Sequence, residues 1–370
     1  MSGNGPVWMN IFWPHYTAFC DCADTVLLST PYRAPEGPGR VRRRWNAWAE
    51  RRAHGRRLCG EVTAQLDGKG PGILLVWALN VRDIQRAEML APVWDSFDLR
   101  VLWVLDTIDP RHVDRDLIRK FDLVASICGD IGREFGETAD VPTLYMPPHT
   151  DVLRFGTTSD YRPIDLLAVG RRIREIYDPV HLHFNAPGTN RVSVDFQTRT
   201  GNFSASTQEE CQLLMAGYSR ARIAFCFEPS TSHARFRGHS PLTERWPHAW
   251  SSGCTVVGSR PKGLGTAEQM DWPDSTIDLP GDPEDAIRLL DELLADTGGL
   301  ARRRMRNVAE CARRHDTRHR LKSLLEHAGL PLPEGLRHGL KRLEDTARDL
   351  SGELSGPPRK DHIMSINPGQ

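Results

Sequence analysis

Pro147–Arg172 reads PPHTDVLRFGTTSDYRPIDLLAVGRR, and its two halves decide the fold class. Pro147–Pro163 is rich in Pro, Thr and Asp with few apolar residues, the composition of a linker. Ile164–Val169 then opens a short apolar run that stops on Gly170, as a buried strand does. Upstream of the break the same alternation is already running. Gly72–Leu79 (GILLVWAL), Leu99–Leu105, Phe121–Ile127 and Pro142–Met146 read as strands, as do Val7–Trp13 and Thr25–Ser29. Val81–Val93 and Gly129–Thr138 read as the helices between them. Continuous rather than alternating apolarity suits strands covered on both faces, hence parallel sheets.

Downstream, Arg191–Phe196, Arg222–Phe227 and Cys254–Val257 read as further strands. Ser206-x-x-Glu209 is a capping box for a helix to about Ser219. A short helix is expected near Glu244–Ser252. Asp282-Pro283 opens another, with Asp as cap and Pro in the first turn. A long helix over Leu300–His327 and a last one from Glu334 to Leu350 complete the pattern. The expected fold is α/β, with two doubly wound Rossmann-like domains facing across a cleft. Their expected bounds are 1–150 and 160–330, followed by a terminal helix at 334–353 and a loose tail at 354–370.

Composition narrows the functional classes. The 370 residues divide into about two domains at roughly 150 residues each. Forty-eight Lys plus Arg balance 48 Asp plus Glu, without the basic excess usual in a dedicated nucleic-acid binder. No apolar run reaches the ~18 residues of a membrane span. The start, MSGNGPVWMN, lacks a basic region followed by an apolar one, so no secretory signal is read there. Eight cysteines are too sparse for a disulfide scaffold, and Cys20-x-Cys22 fits no common zinc site. A cytoplasmic protein is expected.

Two segments carry possible anion chemistry. His239–Gly263, HSPLTERWPHAWSSGCTVVGSRPKG, is a polar loop leading into a short helix that Gly253 ends just before a strand. Arg245 falls in the helix's first turn, where a guanidinium can clamp a phosphate; the alternative is a salt bridge to a neighbour such as Glu244. Ala168–Arg172 places Gly170, Arg171 and Arg172 at a strand's carboxyl end, the place where such sheets bind ligands. Together with Arg245 these residues suit a diphosphate.

These pieces resemble a family. The chain is similar to glycosyltransferases of the GT-B fold, particularly the bacterial spore-maturation and group 1 type. PPHTDVLRF resembles the crossover between the two domains, and LLAVGRR the first strand and loop of the donor domain. YSRARIAFCFEPS with LTERWPHAWSSGCTVVGSRPKG resembles that group's Tyr-led helix, strand and T-x-R-x-x-E-A-x-x-x-G run. RRHDTRHRLKSLLEHAGL resembles the closing helix. The resemblance spans about residues 140 to 330 and is only architectural before that.

It implies sugar transfer from a nucleotide-diphosphate donor, bound by the downstream domain, to an acceptor it does not identify. No cofactor or metal is expected, because cationic side chains can neutralise the phosphates. The donor set implied is Gly170, Arg171, Arg172, Ser240, Thr243, Arg245, His248 and Lys262. The family's ribose-holding Glu falls on His248, and its other acidic position on Ser240. A neutral imidazole accepts one hydroxyl hydrogen bond where a carboxylate accepts several. The resemblance also has the last helix crossing back onto the first domain.

An inverting enzyme adds a general base from the upstream domain at a strand end. His15, after the expected first strand, and Asp106, with Asp109 behind it, are the candidates. Each has a plain structural alternative: packing on Trp13 for His15, capping a turn for Asp106. Two other functions stay open. One is a non-catalytic module of the same fold, favoured by His248 in place of Glu. The other is nucleic-acid association through Arg40–Arg57, RVRRRWNAWAERRAHGRR, although a solvated basic helix explains that stretch as well.

Overall fold

The computed structural model describes residues 5–6, 12–28, 40–67, 72–170, 173–196, 203–204, 207–229 and 236–355. In chain order the elements begin with α1 (Phe12–Cys22), α2 (Arg40–Leu66), β1 (Ile73–Ala78), α3 (Val81–Arg86) and β2 (Leu99–Val104). Then come α4 (Arg115–Ile118), β3 (Leu123–Ser126), α5 (Gly129–Ala139), β4 (Thr143–Tyr145), α6 (Val152–Phe155) and β5 (Ile164–Val169). Next are α7 (Arg174–Phe184), β6 (Ser193–Phe196), α8 (Thr207–Ser219), β7 (Ala221–Cys226), α9 (Arg245–Ser251) and β8 (Thr255–Gly258). The chain closes with β9 (Ile277–Asp278), α10 (Pro283–Ala295), α11 (Thr297–Arg314), α12 (Thr317–His327) and α13 (Glu334–Ser355). Gly5–Pro6 pairs antiparallel with Phe203–Ser204.

The chain divides into two compact units. The upstream unit comprises Val26–Met146 and Ala234–His239; the downstream unit comprises Ser2–Thr25, Pro147–His233 and Ser240–Gln370. The fold is therefore α/β with two parallel-sheet units, as the sequence predicts.

In the upstream unit four parallel strands lie in the order β1-β2-β3-β4. Leu74, Leu102, Val104 and Val124 face Ile84, Ile131 and Phe135 in one core. The predicted helix over Val81–Val93 is shorter than expected. After Arg86 the chain tightens into a 3-10 turn, Ala87–Ser96, that contains Pro92. Proline has no N–H to continue an α-helical ladder.

In the downstream unit five parallel strands take the order β9-β8-β7-β5-β6. Strand order reverses between β5 and β7, where Leu166 pairs Ile223 and Ala168 pairs Phe225. Such a reversal is a topological switch point, and ligands of open α/β sheets bind outside the strands' carboxyl ends there. The four strands of the upstream sheet run in sequence order without a reversal. Asp282 caps α10 as expected, accepting from the N–H groups of Glu284 and Asp285.

Four expectations need correction. Val7–Trp13 is not one strand: Phe12 and Trp13 open helix α1, and residues 7–11 lie outside the described residues. Thr25–Leu28 is irregular. The long helix over Leu300–His327 is two helices. Asp316 breaks it by capping α12, its carboxylate accepting from Arg318 N–H while also taking the Val152 N–H at 2.7 Å.

Finally, Pro147–Asp151 is no loose linker, because His149, Thr150 and Asp151 are fully buried. Arg318, itself buried, donates to Asp151 at 2.9 Å and to Asp21 of α1 at 2.9 Å. Thr317 donates to Thr150 O and receives the imidazole Nδ1 of His149. The polar residues that make this stretch look like a linker are partners for α12. The terminal helix packs on α11, α12 and α1. Leu343 and Ala347 are its core residues. The expected capping residue Ser206 and the tail from residue 356 lie outside the described residues.

Candidate functional site

The switch point is framed by two strand ends. On one side β5 ends at Val169 and turns at Gly170, whose φ of +70° is a left-handed conformation that glycine adopts without a Cβ clash. On the other side β7 ends at Cys226, and the chain continues through Phe227 to Glu228. Ser240 Oγ donates to Glu228 Oε2 at 2.7 Å, and the Lys262 N–H donates to Ser240 Oγ at 2.9 Å. The Gly263 N–H donates to Ser240 O, and the Glu228 N–H to Ser259 Oγ. One serine thus fastens the loops after β7 and β8 to each other at the carboxyl end of the sheet.

Arg245 opens α9, and its guanidinium donates to the carbonyl of Phe227 at 3.0 Å and lies over the Trp246 ring. Its Nε approaches Thr243 Oγ1 at 3.4 Å. Pro247 fits because the third helical residue has no intrahelical partner for an N–H in any case. Glu244 turns the other way. Its Oε1 lies 3.9 Å from His15 Nε2.

Ser240, Thr243 and Arg245 thus share a loop and helix start beside β7. Gly170 sits at the end of the adjacent strand, and Lys262 is exposed in the loop after β8. Arg171 and Arg172 lie outside the described residues. His248 is placed elsewhere. It is buried in the core against Tyr218, with ring centroids 6.0 Å apart. Burial pushes its pKa down to about 4, so the ring is neutral, and among the described residues Nε2 has no hydrogen-bond partner.

The residue that sequence reading missed is Glu228. It is the first charged side chain after the apolar run RIAFCF, and that position is the signal that finds it. Among the described residues its Oε1 has no partner, so the carboxylate keeps acceptor capacity beside Ser240.

The candidate bases separate. His15 lies on α1 in the downstream unit and is fully buried, which corrects its expected place at an upstream strand end. Its Nε2–H donates to the His149 carbonyl at 3.2 Å, the two ring centroids lie 3.9 Å apart with the planes tilted by 32°, and burial pushes its pKa down to about 3. His315 and His149 are likewise held neutral by burial, and Glu244 is pushed up to about 8 by the same cause. Among the described residues no group of His, Cys, Asp and Glu gathers as metal ligands.

Asp106 follows β2, buried, and accepts the Thr107 N–H at 2.8 Å. Asp109 caps the next turn and is held by Arg111 at 2.7 Å, with Arg237 at 3.7 Å. These cations hold its carboxyl well below the usual range, Arg111 having the largest effect. A carboxylate so stabilised is a poor proton acceptor.

The basic stretch Arg40–Arg57 forms the first two thirds of α2. Arg52, Arg56 and Arg57 are exposed, and Arg57 faces Glu61 at 3.6 Å. No helix among the described residues is long and apolar enough to cross a membrane.

The chain matches no family model, and no curated protein matches its sequence. Solved structures do resemble it. One is HepE of Anabaena in complex with UDP-glucose, 12% identical, with TM-score 0.44, covering 69% of this chain and 78% of that one. A glycosyltransferase from Rickettsia africae is 9% identical, with TM-score 0.45, covering 75% and 81%. The accessory secretory proteins 1, 2 and 3 of Streptococcus pneumoniae give 11%, TM-score 0.46, and 74% and 57%.

Proposed function

We propose that the chain is a glycosyltransferase that takes a sugar from a nucleoside-diphosphate donor and transfers it to a hydroxyl acceptor. The reading rests on the residues of this chain. Its single strongest support is the switch point between β5 and β7, where a left-handed glycine, a carboxylate with acceptor capacity and an arginine meet the carboxyl ends of adjacent strands. In this reading Arg245 meets the diphosphate as a charge-assisted donor, aided by the turn at Gly170 and by Arg171, Arg172 and Lys262. Glu228 accepts the hydroxyls of the ribose or the sugar. It takes the part that His248, neutral and enclosed, is unable to play. The upstream unit binds the acceptor.

The departing diphosphate gains one unit of negative charge at its leaving oxygen, and positioned cations lower the barrier by stabilising it there. The test is a thermal-shift screen against UDP, GDP, ADP and TDP, followed by product analysis with the matching sugar nucleotides. A ligand that binds only the native state raises its melting temperature. A shift with one of the four and release of that nucleotide from its sugar conjugate are expected; no shift with any of them overturns the reading.

A second reading is a binding module of the same fold without turnover, which the enclosure of His248 favours. It predicts the shift without the release.

A further inference from the structure

Glu244 stands in the chain between two donor residues, Thr243 and Arg245, yet its side chain turns to helix α1. It holds the N-cap position of α9, with no capping bond from its side chain among the described residues. Residues that cap well carry a short polar side chain, and the longer glutamate bonds elsewhere. Its Oε1 lies 3.9 Å from Nε2 of His15, and the carboxyl takes the main-chain N–H of His149. The carbonyl of the same His149 takes the Nε2–H of His15 at 3.2 Å. One residue thus joins α1 to the start of α9 through its own N–H and C=O. His15, His149 and Glu244 all belong to the downstream unit.

The surroundings of the carboxyl are enclosed. His15 and His149 face it, with His248 of α9 and His315 at the end of α11 behind them. Arg320 of α12 faces it as a cation, but is engaged elsewhere. Its guanidinium donates to Pro147 O at 2.9 Å and stands 3.4 Å from His315 Nδ1. Burial keeps all four rings neutral at pH 7 and above. The same cause pushes Glu244 up to about 8, against the pull of the His149 N–H and Arg320. The side chain is 14% exposed, so its proton can exchange with solvent.

We propose that Glu244 is a positioning residue for donor binding: through His149 and His15 it fixes the loop that carries Thr243 and Arg245. The inference rests on the glycosyltransferase reading. In the fixed loop Arg245 donates to Phe227 O at 3.0 Å and lies over the Trp246 ring, and Thr243 O takes the Trp246 N–H at 3.2 Å. An uncharged carboxyl suits an enclosure of neutral rings. Once it ionises, the carboxylate is better solvated outside, and the residues on either side move with it. Its negative charge also stands one residue from the cation that meets the diphosphate. Both effects weaken donor binding, and both set in as pH rises through the native pKa of Glu244.

The test titrates the full chain with UDP, GDP, ADP and TDP at pH 7 and pH 9 by calorimetry. Circular dichroism at both pH values shows that the chain is folded. If the ionised form does not bind, about one molecule in eleven is competent at pH 9, and Kd rises about tenfold from pH 7. Glu244→Gln has no proton to lose there, and its Kd is expected to change less than about twofold over the same range. Comparing the two proteins at each pH cancels ionisation of the nucleotide itself. Glu244→Leu keeps the bulk but accepts nothing from His149. It is expected to raise Kd at pH 7 at least about fivefold, the net worth of one hydrogen bond, with Glu244→Gln recovering part of that loss.

A wild-type Kd that changes less than threefold between pH 7 and pH 9 overturns the proposal. So does a Glu244→Gln profile that follows the wild type, or a Glu244→Leu protein that binds as tightly as wild type at pH 7. If Glu244→Leu does not fold, the other two profiles decide. Wild-type protein that binds none of the four nucleotides at pH 7 removes the donor-site reading, and this proposal with it.

Discussion

Ser240 Oγ donates to Glu228 Oε2 at 2.7 Å, so a hydroxyl of the loop before α9 aims a carboxylate of the loop after β7 at the switch point of the downstream sheet. A carboxylate with one oxygen fixed in this way is suited to read a vicinal diol with the other. Glu228→Gln is expected to weaken binding of a ribonucleoside diphosphate by about 1.5–3 kcal/mol, the worth of a hydrogen bond to a charged group. The same substitution should matter less for the 2′-deoxy ligand. Calorimetric titration of UDP and 2′-deoxy-UDP against both proteins measures this, and an equal loss for the two ligands counts against a diol contact.

Arg245 is expected to behave differently. Arg245→Ala should cost about 1.5–3 kcal/mol of nucleoside-diphosphate affinity but leave the affinity for the bare nucleoside nearly unchanged. Lysine should restore little, since it lacks the planar fork that can donate to Phe227 O and still offer N–H groups to a phosphate. Wild-type affinity for the diphosphate in the alanine variant removes Arg245 from the site.

Stability of the downstream unit should depend on pH with two opposing slopes. Burial pushes His15 and His315 down to about 3 and His248 to about 4, against about 6.5 in an unfolded chain. Between those values the unfolded chain binds more protons, so stability falls as pH drops below about 6.5, by up to about 1.4 kcal/mol per pH unit for each ring. Glu244 acts in the opposite sense. Its native form keeps a proton up to about pH 8, whereas the unfolded form loses it near 4.3, so stability falls as pH rises between the two. Three histidines outweigh one glutamate, and the melting temperature should drop from pH 6.5 to pH 5. Glu244→Gln should gain on the wild type steadily from pH 5 to pH 8 in paired melting curves. A gap that does not change with pH would refute the sign of the Glu244 shift.

Arg318 has a structural role. It is buried between Asp151 and Asp316 and reaches Asp21 on α1. Removing one partner of a buried ion pair leaves the others uncompensated, at about 3–5 kcal/mol. Arg318→Ala should therefore lower the unfolding free energy measured by urea denaturation by that amount. A loss under 1 kcal/mol would show that the carboxylates find other partners.

Gly258 ends β8 at φ +149°, and a Cβ there would stand 1.9 Å from the carbonyl oxygen of Cys226. The obstacle is backbone of the neighbouring strand, so the sheet has to part for it. Gly258→Ala should cost about 3 kcal/mol or more in chemical denaturation, or leave the protein unfolded. Gly281→Ala, where a Cβ meets nothing within 4 Å, is the matched control and should change little.

Much of this architecture can be read from local chemistry. Ile164–Val169 is an apolar run broken only by Asp165 and closed by glycine, and it is a strand buried on both faces. Asp282-Pro283 states its helix start outright. Phe12 and Trp13 mislead because aromatic residues favour strands by composition, whereas here their burial against α8, α12 and α13 decides. The two-residue strand β9 is too short to have a pattern. Asp151 and Arg318 stand 167 residues apart, and nothing in either neighbourhood announces the other. At the site, Arg245 and Ser240 were legible from their motif. Glu228 carries only a weak local signal, its place directly after an apolar run, because its partner Ser240 stands 12 residues further on.

Helix α1 is an early piece of the chain with late neighbours. Phe12–Cys22 packs on α12 and α13, more than 290 residues downstream, and Asp21 waits for Arg318. During synthesis this segment emerges well before α12 and α13 and finds its resting place only after both have been made. A shortened gene that begins at Val26 would therefore yield a product with an open trough along its closing helices, prone to clump and to attract chaperones.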